Sequence, residues 1–353
     1  MTASWRKYAT IGVSAACVLA LVLLILSLQL GSPSTAIQYT LDSIAYGSLY
    51  ALMALGLSLL FGVMGLMNFA YGELIMAGAY TMFFTRSWGW LGMILITILI
   101  VTILSLLTEL VAFRPLRNAS PVTLLVASFA VSYALQEFAW TDGLGLAHQF
   151  DSTIGTGPQK GVEPYPWLTN QFNISGVLVS KLEIVTMIVT IAVVVGMTVL
   201  LKRTMLGIQL RASTEDFRMA QLTGVKANRV ISAAFAITGV IAGIVAVLYV
   251  FRNNAVAPDM GQGPLFVAFV GGAIGGLGSL TGAALGGFVL GMIINILGAT
   301  LSIQYKSHTQ LFAFLLVIVI LVFVPDGLIA FRGSAVARLW ARFRKPAVEG
   351  TTP

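Results

Sequence analysis

The sequence has little charge, one cysteine and two histidines, and each shortage excludes a class of protein. Asp, Glu, Lys and Arg make up 9% of the 353 residues, against about 25% in a soluble domain. A chain this poor in charge cannot cover itself with a water-compatible surface. The single cysteine, Cys17, excludes an intrachain disulfide and, in the middle of an apolar run, reads as a small hydrophobic group. His148 and His308 are far apart in sequence and lack a partner at ligand spacing, so no metal site is expected. No G-x-x-x-x-G-K-[ST] loop is present, so this chain should not bind ATP, and no cofactor is expected. The apolar runs lack Asp, His or Cys in a reacting arrangement, which argues against an intramembrane enzyme.

What is present is hydrophobic. Apolar residues make up 58% of the chain, and a helix needs about 20 of them to cross roughly 30 Å of hydrocarbon. Ten apolar segments can be read, at 8–31, 38–64, 67–85, 88–113, 121–140, 183–201, 231–251, 264–277, 281–301 and 310–331. The expected fold class is therefore all-α, a polytopic membrane protein of about ten transmembrane segments (eight is the alternative), with short or broken helices in each half. Segment 264–277 would be about 21 Å long as a helix, too short to cross unaided. Residues 1–31 have a signal-like Arg6 and Lys7, but the apolar core from Ile11 to Leu30 exceeds the roughly 7–15 residues of a signal peptide. A retained first helix is expected.

The net charge of +7 does not point to nucleic acid, because the basic residues gather in short stretches beside the spans. Lys202, Arg203, Arg211, Arg218, Lys226 and Arg229 lie in 202–230, Arg114 and Arg117 in 114–120, and five more in the tail after 331. Loop 141–182 holds only Lys160 and Lys181 against Asp142, Asp151 and Glu163. By the positive-inside rule, a single transmembrane domain over 1–353 carries an extracytoplasmic loop at 141–182, a cytoplasmic loop at 202–230 and a basic cytoplasmic tail at 332–353. Both termini are then cytoplasmic. The outer loop, with Pro158, Pro164, Pro166 and Trp167, reads as irregular with one interfacial helix.

Several polar residues interrupt the apolar runs. In "NFAYGELIMAGAY", 68–80, Glu73 would cost about 2.5–3.5 kcal/mol to insert. Asn68 is placed to cap the following helix, and Glu73 would lie in its first turns, where the helix dipole favours a negative charge. Glu73 either fixes that helix start or lines a permeation path. Ser128, Ser132 and Gln136 recur every fourth residue on one face of the fifth span, bonding their own helix or a neighbour, or facing the same path. Tyr133 and Glu137 form a neighbouring pair, and Glu109 is within reach of Arg114 as an interfacial ion pair. In "FVGGAIGGLGSLTGAALGGFVLGMIIN", 269–295, Gly271, Gly275, Gly278, Gly282 and Gly286 have the spacing that lets helix backbones approach closely. The stretch reads either as helix packing alone or as a helix broken over Gly275 to Ser279 beside a water-filled path, and a similar glycine-punctuated break occurs over Gly62 to Gly72.

In 203–230, "STED" at 213–216 fits a helix N-cap, with Phe217, Ala220 and Gln221 following at helical spacing and Gly224 placed to end the helix. A surface helix this short needs a partner. The order Thr204, Gly207, Arg211-Ala212, Asp216, Ala220 and Gly224 resembles the coupling loop of bacterial branched-chain amino acid ABC transporter permeases. "GLSLLFGVMGLMNFAYGELIMAGAY" (56–80) is similar to the first signature of their LivH-type subunit, and "GGLGSLTGAALGGFVLG" (275–291) and "PDGL" (325–328) also match. The resemblance runs from about Ala45 to Gly333, with departures at Tyr71 and Val324, where relatives usually have His and often Arg. Urea and amide permeases share most of these signatures.

The resemblance implies a permease subunit of a binding-protein-dependent importer in the bacterial inner membrane, moving branched-chain or other small amino acids. It implies three kinds of partner: a second, homologous permease subunit, two separate ATPase subunits and an extracytoplasmic solute-binding protein. Arg211, Glu215, Asp216, Arg218, Ala220 and Gly224 would form the ATPase-coupling segment. Asn68, Glu73, Ser128, Ser132 and Gln136 would line the path. The alternative is an ion-coupled secondary transporter that uses Glu73 and Glu137 as proton carriers.

Overall fold

A computed structural model describes residues 33–65, 67–117, 119–140, 160–162, 168, 170–174, 177–215, 217–276, 279–302 and 304–323. The helices are α1 (Pro33–Met64), α2 (Tyr71–Phe84), α3 (Gly89–Thr108), α4 (Pro121–Trp140), α5 (Lys181–Arg203), α6 (Met205–Glu215), α7 (Phe217–Leu222), α8 (Ala227–Asn253), α9 (Gln262–Gly275), α10 (Leu280–Thr300) and α11 (Thr309–Phe323). A single π-turn, Glu109–Phe113, extends α3. The segment 8–31 and the tail lie outside the described residues.

The all-α membrane class holds, but the ten spans do not all appear as full crossings. Among the described residues, six helical segments are long and apolar enough to cross a membrane: Ser34–Met64, Arg86–Phe113, Pro121–Trp140, Lys181–Arg203, Asn228–Asn253 and Leu280–Thr300. The segments read at 67–85 and 264–277 are the 14-residue helices α2 and α9, each about 21 Å long.

Most of loop 141–182 lies outside the described residues; within it Leu168 is helical, and short antiparallel strands join the expected irregular chain: β1 (Lys160–Gly161) pairs with β4 (Ala255–Val256), and β2 (Gln171–Ile174) with β3 (Val177–Ser180). Ser180 then starts α5 through a capping box with Glu183, which satisfies two orphan donors reciprocally.

Helix α1 is the central post. From Leu49 to Leu60 nearly every side chain is buried, as expected of a helix that is apolar all round. Helix α10 packs along one flank of α1, α9 lies on α10, and α8 packs against both α1 and α3. The outer helices show the opposite pattern. Leu91, Leu95, Leu99, Ile103 and Leu107 form an exposed stripe on α3, and Ile184, Ile188, Ile191, Val195 and Val199 do so on α5. Apolar surface turned outward on this scale is matched to lipid rather than water.

Candidate functional site

Helices α2 and α9 both begin inside the bundle, and their starts touch. A Cβ added at Gly72 would stand 2.7 Å from the carbonyl oxygen of Gly261, so only glycine permits this approach of two helix N-termini. Partial positive charge from both helix ends converges there. The carboxylate of Glu73, in the first turn of α2 and 0% exposed, sits at that junction.

Helix α4 supplies the partners. Its buried face carries Ser128, Ser132 and Gln136. Ser132 Oγ donates to Glu73 Oε1 at 3.0 Å. Gln136 Oε1 accepts from Gln262 Nε2, at the start of α9, at 3.0 Å. Ser128 Oγ instead donates to Leu125 O of its own helix at 2.7 Å. The rings of Phe69 and Phe129 stack with centroids 4.2 Å apart. Glu73 Oε2 and Asn68 Nδ2 are buried and have no hydrogen-bond partner among the described residues. Asp259 lies close enough to Glu73 to repel it electrostatically.

Three of the five path candidates, Glu73, Ser132 and Gln136, therefore meet through direct or adjoining hydrogen bonds. Asn68 does not cap α2 as expected. Its Oδ1 accepts from Ala70 N at 3.1 Å, and its own carbonyl accepts from Tyr71 N at 3.2 Å. It closes the turn that leads into the helix. Gln262 and Asp259 carry no sequence signal linking them to Glu73; only the Gly72–Gly261 approach brings them near. Glu137 is exposed on the other side of α4, away from the buried cluster.

At the far end of α1, the basic segment folds differently from its sequence reading. Ser213 does not start a helix. Ser213 and Thr214 end α6, where Ser213 Oγ bonds back to Gln209 O at 2.9 Å and Thr214 Oγ1 to Arg211 O at 2.8 Å. Glu215 is the last residue of α6, and Arg218 lies in the six-residue α7; Asp216 is outside the described residues. Gly224, with φ of 92°, turns the chain after α7, a conformation that favours glycine. Ala220 is buried in its own chain, so it does not present an outward contact; among the described side chains of α7, Met219 and Leu222 are the exposed apolar ones, the latter 81% exposed. Arg211 lines a cavity between α1, α6 and α10.

Glu109 is buried, and its partner is Arg117 rather than Arg114. Its second oxygen accepts from Ser232 Oγ at 3.0 Å, and Arg117 also bonds Asn228. This network ties the end of α3 to the start of α8.

Helices α9 and α10 break apart at Gly276, φ 95°, and α10 restarts under the Ser279 cap. Beyond the break they fold back on each other. A Cβ on Gly271 would lie 2.6 Å from Gly287 Cα, one on Gly275 would strike Gly282 O, and one on Gly286 would strike Gly271 O. Gly278 is outside the described residues.

The family model described as "branched-chain amino acid transport system / permease component" matches residues 39–324. A high-affinity branched-chain amino acid transport system permease protein, BraD, of Pseudomonas aeruginosa is 29% identical over 83% of this chain and 95% of the relative. The corresponding LivH protein of Escherichia coli K12 is 28% identical over the same shares. A fructose import permease protein, FruF, of Bifidobacterium longum is 25% identical over 52% of each chain. No solved structure matches. With the six long apolar helices, these matches describe a multi-pass membrane permease.

Proposed function

The chain belongs to the family of branched-chain amino acid transport permease components, and from that premise we propose that it forms the solute path of a binding-protein-dependent ABC importer for a branched-chain or other small amino acid. The observation that carries this reading is Glu73: a fully buried carboxylate with one oxygen held by Ser132 and the other unpartnered among the described residues. Buried charge without full compensation is costly, and an intramembrane ionisable group marks a pathway by default. Its position between two half-length helices has the pattern of transporter sites formed at helix breaks near the bilayer midplane. An amino acid brings an ammonium group that complements the open oxygen.

In this reading the chain sits in a bacterial inner membrane with both termini in the cytoplasm. Segment 202–230 is then cytoplasmic, and α6 and α7 are the elements on which separate ATPase subunits act. Met219 and Leu222 form the outward apolar contact of α7, and Ala220 and Gly224 set its shape. Arg211, Glu215 and Asp216 precede it in the chain, and Arg218 lies within it. A second permease subunit completes the path and an extracytoplasmic binding protein delivers the solute. Closure of the ATPases moves α6 and α7, and the helices packed on them switch access between the two sides.

The test is uptake of labelled leucine into vesicles that hold this chain with its ATPase and permease partners and the binding protein. Uptake should require ATP. Glu73→Gln should lower it by about tenfold, the loss of one contact to a charged group, with unchanged protein in the membrane. Uptake that persists without ATP and collapses with the proton gradient would overturn the reading.

A further inference from the structure

The cavity beneath α1 has a chemical character that the permease reading does not use. Its volume is about 610 Å³, and Ser58, Gly62, Arg211, Thr214, Ser279 and Leu280 are among its lining residues. A volume of this order accommodates a small organic molecule. A smaller hollow of about 110 Å³ shares Arg211 and Leu280 and adds Lys202 and Thr281. Arg211 thus lines both spaces, and a second cation, Lys202, lines the smaller one. Among the described side chains, which do not include those of Glu215 and Asp216, no carboxylate lines either hollow and none forms an ion pair with Arg211.

Two further features have the same sign preference. The 21-residue helix α10 begins at this cavity, and its first N–H groups carry partial positive charge. The Ser279 cap takes the N–H groups of Gly282 and Ala283; those of Leu280 and Thr281 have no acceptor among the described residues. Independently, Ser58 is 1% exposed, lines the cavity, and its hydroxyl has no partner among the described residues. A guanidinium, a helix N-terminus and a spare hydroxyl border the larger space, with an ammonium on the smaller one, and no described side chain on either is an acid.

We propose that this cavity is an oxyanion site, and that its occupant is the carboxylate of the solute on the cytoplasmic side of the path. The proposal rests on the importer reading above. Arg211 binds the carboxylate with its planar fork, and the start of α10 and Ser58 supply the remaining donors. The site complements Glu73, which faces the opposite charge of the same zwitterion. Arg211, read from sequence as a coupling residue, becomes a solute-binding residue in the element the ATPases move, so the grip on the carboxylate would change with the coupling stroke.

The experiment places a cysteine in the cavity at Thr214, an exposed lining residue, in a Cys17→Ser background that removes the chain's only native thiol. Inside-out vesicles holding the assembled transporter are treated with methanethiosulfonate reagents of opposite charge, and labelling of this chain is read by mass spectrometry. The sulfonate reagent should react about tenfold faster than the trimethylammonium reagent, through local charge focusing, and Arg211→Gln should level the two rates. L-Leucine and isovalerate should each slow labelling, and L-leucinamide, which lacks the carboxylate, should not. Protection by isovalerate but not by leucine supports the oxyanion site and counts against the amino-acid reading alone. Equal rates for the two reagents, equal protection by leucinamide, or protection by short-chain phosphatidylglycerol in place of the carboxylates would overturn the proposal.

Discussion

The seam of α1, α9 and α10 and the berth of α4 attach helices inside the same bundle by opposite means. Along the seam, Gly271 meets Gly287, Gly275 meets Gly282, and Gly287 and Gly291 lie against Tyr50 of α1. Backbones touch, and the attraction is dispersion spread over many atoms. Helix α4 has few buried apolar residues; its inward face is Ser128, Ser132 and Gln136, and two side-chain hydrogen bonds and a ring stack are among its attachments. Lipid tails are as apolar as leucine, so neither attachment draws on a hydrophobic drive between helices. The seam is a continuous surface that tolerates little sliding. The berth of α4 consists of separate polar bonds whose partners a polar solute can replace. A transporter needs both, a fixed frame and a contact that exchanges.

The largest effect should come from adding one carbon to the seam. In Gly286→Ala the new Cβ would strike the carbonyl oxygen of Gly271 and crowd Gly275. Backbone atoms cannot rotate away as a side chain does, so the cost belongs at the upper end of overpacking, about 3 kcal/mol. The melting temperature of the detergent-purified protein should fall sharply. A variant that melts with the parent would show that the seam can open, and the contrast with α4 would disappear.

Ser132→Ala should have a smaller effect. It removes the one hydrogen bond to Glu73 and leaves both carboxylate oxygens without a partner among the described residues. Interhelical hydrogen bonds in membranes average about 0.6 kcal/mol, and a buried acceptor left unsatisfied adds to that, so a loss of about 1–2 kcal/mol is expected. Glu73→Leu combined with Ser132→Ala removes both partners and should be less destabilising than Ser132→Ala alone. If the double variant is the worse of the two, Glu73 holds the helices together by contacts other than this bond.

Much of this contrast was legible in the sequence, and the parts that were not share a cause. The span Pro121–Trp140 has the bounds its apolar run suggested, and the break between α9 and α10 falls within the glycine and serine residues that marked it. Four-residue spacing put Ser132 and Gln136 on one face, because a helix carries its own ruler. Partners on other elements have no such ruler. Gln262 meets Gln136 across 126 positions, and β1 pairs with a strand that follows α8. Arg117 takes Glu109 where the nearer Arg114 was expected, because the π-turn and the turns after it set which guanidinium faces back. Ser213 misled for a local reason: serine and threonine that cap a helix start can equally bond back to carbonyls of the preceding turn, as Ser213 does.

The smallest expected effect decides whether the seam argument concerns glycine in helices generally or glycine at these contacts. Gly196 lies in α5, exposed, and a Cβ there would have nothing within 4 Å. Glycine inside a helix is less favourable than alanine by roughly 0.5–1 kcal/mol, because it gives up more backbone freedom on folding. Gly196→Ala should therefore raise the melting temperature slightly, the opposite sign to the same substitution at Gly286. If alanine lowered stability at both positions by a similar amount, the glycines would be serving helix flexibility, and the close backbone contacts of α9 and α10 would be incidental to what holds the bundle together.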